Sequence, residues 1–231
     1  EGKWFDYFPL SKSLDDGYIK MVKALVSEGR KREWGPISIM PGDEPGGHQE
    51  TLEPIKHYLE LIKQQAPGAS TTICIGGGMR KGGLKEYDAL KKGLDIPITS
   101  LIREDILEAM RSDRKVFWIY GGSSTGKPGD YAYDRHATGF YSAKINPIGV
   151  HIWCYQWYVG YAEGEGPVPT INWEMLREGI DDSRYVATLE SLIKKANGST
   201  SASEARQKLD TIFQQVEIVR GVKSEGIDKK G

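Results

Sequence analysis

An excess of charge of either sign is missing from this chain. Its 31 basic and 32 acidic residues leave a formal net charge of −1 over 231 residues. That balance sets up no field able to gather nucleic acid or an anionic membrane, and a small neutral partner fits better. Cysteine is nearly missing too. Cys74 and Cys154 stand far apart inside apolar, strand-like stretches, without Cys-x-x-Cys or Cys/His spacing, so they read as buried thiols rather than a disulfide or metal framework. His48 and His57 lack the i, i+4 spacing of a metal pair. No apolar run approaches the ~18 residues of a membrane span, and no stretch of the given sequence reads as a secretory leader. The chain begins at Glu1 rather than Met, which reads as a trimmed piece of a longer product. No Gly-x-Ser-x-Gly elbow or Cys/His nucleophile signature is present.

What the chain does have is alternation between two periodicities. Leu14, Tyr18, Met21, Val22, Leu25 and Val26 fall at helical spacing, with Ser13 or Asp15 available as a cap, and Ile37, Ile39 and Met40 then make a short strand. A helix capped by Thr51 follows, with Pro54 in its first turn and a stripe of Ile55, Tyr58, Leu59 and Ile62. Thr71–Ile75, Ile96–Leu101, Lys115–Tyr120 and Ile148–Tyr158 are further strands, and helices are expected over Leu84–Lys92, Glu104–Arg111 and Arg135–Lys144. A long loop through Gly164, Gly166, Pro167 and Pro169 leads to a helix capped by Asn172, and Ser203 starts the last one. The tail, residues 221–231, is expected to be disordered. Five strands alternating with helices imply an α/β fold with a parallel sheet. A closed (β/α)8 TIM-type barrel needs three more strands than the about five β/α units counted here. Residues 1–220 therefore read as the carboxyl-terminal portion of such a barrel. An upstream segment, a partner chain or a domain swap would cover its open edge.

Chemistry concentrates at one stop signal. The first strand ends in Met40-Pro-Gly-Asp43-Glu44-Pro-Gly-Gly-His48, and loops at the carboxyl ends of barrel strands carry the catalytic groups. Glycoside cleavage in its common forms needs a carboxylic acid to protonate the leaving oxygen and a second carboxylate. Two adjacent acids suit the substrate-assisted variant better. There the sugar's own 2-acetamido oxygen attacks, one carboxylate holds the acetamido group and its neighbour is the acid/base. Six Trp and twelve Tyr supply flat apolar faces. Most must serve packing, but Trp118, Tyr120, Trp153, Tyr155 and Trp157 stand at strand ends where a sugar ring could stack, and His48 is within reach of the carboxylates. Alternation along the last strand puts Val150, Ile152 and Cys154 toward the helices, and His151, Trp153, Tyr155 and Trp157 on the opposite face. Gly121-Gly-Ser-Ser-Thr-Gly126-Lys127-Pro128 nearly matches a phosphate-binding loop, but Pro128 stands where a hydroxyl should reach magnesium, so it reads as an active-site loop. Asp181 and Asp182 fall in a helical pattern, where solvation or capping explains them.

Three stretches then carry a family resemblance. They are Gly42-Asp43-Glu44-Pro45, the segment from Val116-Phe-Trp-Ile-Tyr120 through Tyr133-Asp134-Arg135 to Gly149-Val-His-Ile-Trp153, and Ile171-Asn-Trp173 through Asp182-Ser-Arg-Tyr185. Over roughly residues 11–196 the chain resembles glycoside hydrolase family 123 and related barrel domains. The resemblance implies a retaining β-N-acetylgalactosaminidase that needs no cofactor and acts on a glycan or glycoconjugate, in a secreted or periplasmic setting. It implies that Asp43 orients and polarises the acetamido group and that Glu44 is the general acid/base. The family's amino-terminal β-sandwich and first barrel strands have no counterpart here. The alternative expectation is a non-catalytic carbohydrate-binding or structural barrel domain of a larger secreted protein.

Overall fold

Thr71, Thr72, Ile73, Cys74 and Ile75 are all buried, and a β-branched run covered on both faces is what a central parallel strand requires. In the computed structural model this run joins two short strands, β2 (Ser70–Thr71) and β3 (Cys74–Ile75), hydrogen-bonded along both edges. On one edge, Ser70 and Thr72 donate to the carbonyls of Ile37 and Ile39 at 2.9 and 3.0 Å, beside β1 (Ser38–Ile39). On the other, Ile98 donates to Ile73 at 2.9 Å, opening β4 (Ile98–Ser100), which pairs in turn with β5 (Trp118–Tyr120). Each of these pairings in the first unit is parallel, and the strands follow in chain order. The structure describes residues 10–46, 49–75, 83–100, 103–120, 131–152, 159–162 and 166–217. The chain forms two compact units, Glu1–Tyr120 and Gly121–Gly231.

Sequential order has a consequence for the first unit. Right-handed crossovers that always step to the same edge place all their helices on one face of the sheet. The helices α1 (Lys12–Lys31), α2 (Gln49–Gln65), α3 (Gly83–Leu90) and α4 (Glu104–Ser112) accordingly contact one another in consecutive pairs. Ile19, Val22 and Val26 of α1 and Ile62 of α2 form a buried cluster with Ala66 and Ala69, against which Ile39 packs. Ile39 therefore marks the helix-covered face. Strand register extends that face through Thr71, Ile75, Thr99 and Ile119, while Cys74, Ile98 and Trp118 share the opposite one. Asp95 ties the α3–β4 connection to the sheet by accepting from the Thr71 amide at 2.9 Å and its hydroxyl at 3.0 Å, with Lys63 as its ion partner.

Two helix starts differ from expectation. The cap of α1 is Ser11, whose hydroxyl accepts from the Leu14 amide at 3.3 Å, because Asp15 faces His57 at 3.0 Å instead. Helix α2 starts at Gln49, and Thr51 lies inside it with its hydroxyl donated back to the Pro45 carbonyl at 2.6 Å.

The second unit is mainly helical. It holds α5 (Tyr131–His136), a wide π turn (Ala137–Tyr141), α6 (Ser142–Ile145), β6 (Gly149–His151), β7 (Val159–Ala162), β8 (Gly166–Pro169), α7 (Ile171–Lys195) and α8 (Thr200–Gln215). The expected long loop is an antiparallel hairpin of β7 and β8, with Val159 opposite Pro169 and Tyr161 opposite Pro167. Proline is tolerated at such a ribbon edge because its missing amide need not pair. Thr170, not Asn172, caps α7 by accepting from the Trp173 amide at 3.3 Å, and Ser199, not Ser203, caps α8 by accepting from Ala202 at 3.1 Å. In both cases the hydroxyl three residues before the donating amide accepts the capping bond. Val150, expected to face helices, is 37% exposed, since β6 lies at the surface.

Helix α7 locks onto the π turn through a glycine. A Cβ at Gly179 would lie 2.0 Å from the Thr138 hydroxyl and 2.6 Å from the Arg135 carbonyl oxygen, so only glycine permits this approach. Ser183 donates to the Thr138 carbonyl at 2.6 Å, which satisfies a backbone acceptor that the widened turn leaves over. Asp182, 15% exposed, takes a two-point hydrogen bond from the Arg135 guanidinium at 2.7 and 2.9 Å. Asp182 is thus a helix-to-helix clamp and not the solvated charge expected of it.

Candidate functional site

Asp43 and Glu44 follow β1 directly, in a turn whose backbone is unusual. Glu44 has φ of 40° and Gly46 has φ of 73°. A left-handed non-glycine residue costs roughly 1–2 kcal/mol, so neighbouring structure must impose this one. Three contacts bear on the turn. Gly42 lies against Ile55 of α2, where a Cβ would sit 2.7 Å from the isoleucine side chain. The Thr51 hydroxyl holds the Pro45 carbonyl. Finally, the Gly46 amide donates to Glu86 Oε1 at 2.6 Å. An amide bond to a carboxylate contributes about 1.5–3 kcal/mol, enough to outweigh the strain at Glu44.

Glu86 itself is 1% exposed, in the first turn of α3, where the positive end of the helix favours a carboxylate. Arg103, at the start of α4, lies near it. Its guanidinium donates to both oxygens of Asp105 at 3.0 and 2.8 Å and rests on Gly83, where a Cβ would be 1.7 Å from Nη2. Asp105 first, then Glu86, hold this guanidinium firmly protonated. Sequence reading singled out neither Glu86 nor Arg103. The signal was present, because Gly83, Glu86, Tyr87 and Leu90 are the buried stripe of α3, and a carboxylate at the i+3 position of such a stripe is out of place in a core.

Cys74 shares its sheet face with Trp118. Its thiol is pushed well above the ordinary value, first by burial and then by the negative charges of Asp43, Glu44 and Glu86. Asp43 and Glu44 follow β1 and Glu86 lies in the helix that follows β3, so all three carboxylates come after the carboxyl-side ends of parallel strands. Tyr120, two residues beyond Trp118, shares that face by alternation, and both rings are half-buried.

Of the expected site residues, Asp43, Glu44, Trp118 and Tyr120 are placed in this region of the first unit. His48, Trp153, Tyr155 and Trp157 lie outside the described residues, as do Cys154, the 121–128 loop and the tail. Among the described residues no group of three or more His, Cys, Asp or Glu could hold a metal ion, and no helix is long and apolar enough to cross a membrane. A cavity of about 730 Å³ in the second unit, lined by Asn197, Arg206 and Asp210 among others, contains none of the expected residues. Its arginine already faces Glu190 at 3.2 Å and Asp210 at 3.8 Å. Compared with known proteins, the chain matches no family model and no curated protein.

Proposed function

We propose that the chain is the carboxyl-terminal part of a (β/α)8 barrel that hydrolyses terminal β-linked N-acetylhexosamines, N-acetylgalactosamine foremost, with retention and with the substrate's acetamido oxygen as nucleophile. Glu44 protonates the leaving oxygen and then takes a proton from the incoming water. Asp43 hydrogen-bonds the acetamido nitrogen and stabilises the positive charge that develops on the bicyclic oxazolinium intermediate. Trp118 and Tyr120 offer the sugar a stacking surface.

The observation that carries this reading is the place of Asp43 and Glu44 in a left-handed turn directly after β1. A turn at the carboxyl end of a parallel strand is where barrel enzymes keep their chemistry, which supports the assignment. The sequential strand order supports the barrel, because helices confined to one face leave the other to be closed by the sheet itself. The left-handed φ at Glu44 supports a functional assignment, since such strain collects at sites where a side chain must be aimed.

The experiment is turnover of chromogenic β-glycosides by the natural full-length protein and by Glu44→Gln. Hydrolysis of the N-acetylhexosaminides, lost by about 10²–10⁴-fold in the variant, is the expected result. Wild-type rates in Glu44→Gln would remove Glu44 from the mechanism.

A further inference from the structure

The mechanism above uses Asp43 and Glu44 but says nothing of what aims them. The Asp43–Gly46 turn carries two left-handed residues, and adjacent carboxylates with different tasks must diverge by a fixed angle. A misplacement of an ångström at such a centre costs orders of magnitude in rate. Something rigid has to hold the turn from the side away from substrate.

Glu86 fits that need. It is almost fully buried, it sits on a helix rather than a loop, and it reaches across 40 residues of sequence to the Gly46 amide at 2.6 Å. The helix that carries it begins at Gly83, against which Arg103 is seated, and the Arg103 guanidinium is held by two bonds to Asp105. Buried carboxylates are rare unless partnered, so a charge kept at this position needs a reason beyond packing.

We infer that Glu86 is a positioning residue for the Asp43–Glu44 pair, which it aims by holding the Gly46 amide. The inference rests on the reading of Asp43 and Glu44 as the catalytic pair. It deepens that reading by assigning α3 to the active-site framework. The chemistry required of Glu86 is only that of an acceptor. It donates no proton and touches no substrate, so its loss lowers kcat and leaves KM nearly as it was.

The test compares wild type, Glu86→Gln and Glu86→Ala in two measurements. The first, independent of any activity, is amide hydrogen exchange at Gly46 followed by NMR, with amides of α2 and β3 as the control for folding. The second is kcat and KM on a chromogenic N-acetyl-β-galactosaminide. Glu86→Ala is expected to speed Gly46 exchange and to lower kcat, each by about tenfold to a hundredfold, with KM changed by less than about threefold. Glu86→Gln keeps a neutral acceptor oxygen and falls between the other two in both measurements. If Glu86→Ala does not fold, Glu86→Gln alone decides, with Gly46 exchange raised about three- to tenfold. Unchanged Gly46 exchange in a folded variant overturns the inference, whatever the activity. Altered exchange in a protein that hydrolyses no glycoside would uphold the bracing and overturn the reading of the pair.

Discussion

Of the adjacent acidic pairs in this chain, Asp43-Glu44 and Asp181-Asp182 sit in opposite surroundings. The second pair lies within α7, in ordinary helical backbone, and is matched to arginines. Asp181 faces Arg177 and Arg184, each at 3.1 Å, and Asp182 grips Arg135 through two bonds. The first pair lies in a turn at a strand end, with Glu44 in the left-handed region and a third carboxylate, Glu86, accepting from the backbone two residues on. Acids matched to arginines within regular secondary structure stabilise a fold. Acids grouped near one another on a strained turn cost stability, as the catalytic role proposed for Asp43 and Glu44 would require.

The contrast predicts opposite signs on mutation. Sharpest should be Gly179→Ala, which drives a methyl group into the Thr138 hydroxyl and the Arg135 carbonyl and so breaks the framework that holds the second pair. A loss of about 2–4 kcal/mol by thermal or denaturant unfolding is expected; a loss under about 0.5 kcal/mol would mean that α7 and the π turn separate freely. Next, Asp182→Ala should destabilise by about 1–2 kcal/mol, less than a fully buried pair because Arg135 is 45% exposed. Glu44→Gly should move the other way. It removes left-handed strain at the price of backbone entropy, for a net gain of about 0.5 kcal/mol, while turnover disappears. A destabilised but active Glu44→Gly would reverse the assignment of the two pairs.

A smaller effect sharpens the comparison from a third acid. Burial alone would raise Asp95, but Lys63 and the two bonds from Thr71 outweigh it and hold its carboxyl below the usual value. A folded-state value below the unfolded one means that stability is fully present above the ordinary carboxylate range and is lost as pH falls through the depressed value. Unfolding free energy measured from pH 7 to pH 3 should therefore fall less steeply in Asp95→Asn than in wild type at the acid end. Parallel curves would show that Asp95 is not linked to folding.

Much of this arrangement was legible from spacing. The β-branched run at 71–75, the apolar stripe of α2 and the carboxylates after a Pro-Gly stop mark out strand, helix and site, because periodicity and turn chemistry are local properties. What was not legible depends on contacts distant in sequence. The caps of α1, α7 and α8 differ from those expected because several Ser, Thr, Asn and Asp residues compete near each start, and the winner is set by partners such as His57 for Asp15. The β7–β8 hairpin was hidden by Pro167 and Pro169, which penalise a strand in the middle of a sheet but not at the edge of a two-stranded ribbon. Glu86 was overlooked for a similar reason. Its helical position was evident, but its partner, Gly46, lies 40 residues away.

The central claim is that Asp43 and Glu44 act on a substrate that supplies its own nucleophile. Adjacent carboxylates are poorly placed to flank an anomeric carbon at the ~5 Å separation of direct displacement. On this proposal positive charge develops on the acetamido group, and Asp43 would stabilise it more in the transition state than in the ground state. The most direct measurement is kcat/KM of the full-length protein on two chromogenic β-galactosides that differ only at C2, one with the acetamido group and one with a hydroxyl. The account predicts turnover of the first and almost none of the second; equal rates on both sugars would contradict it and leave Asp43 without its role.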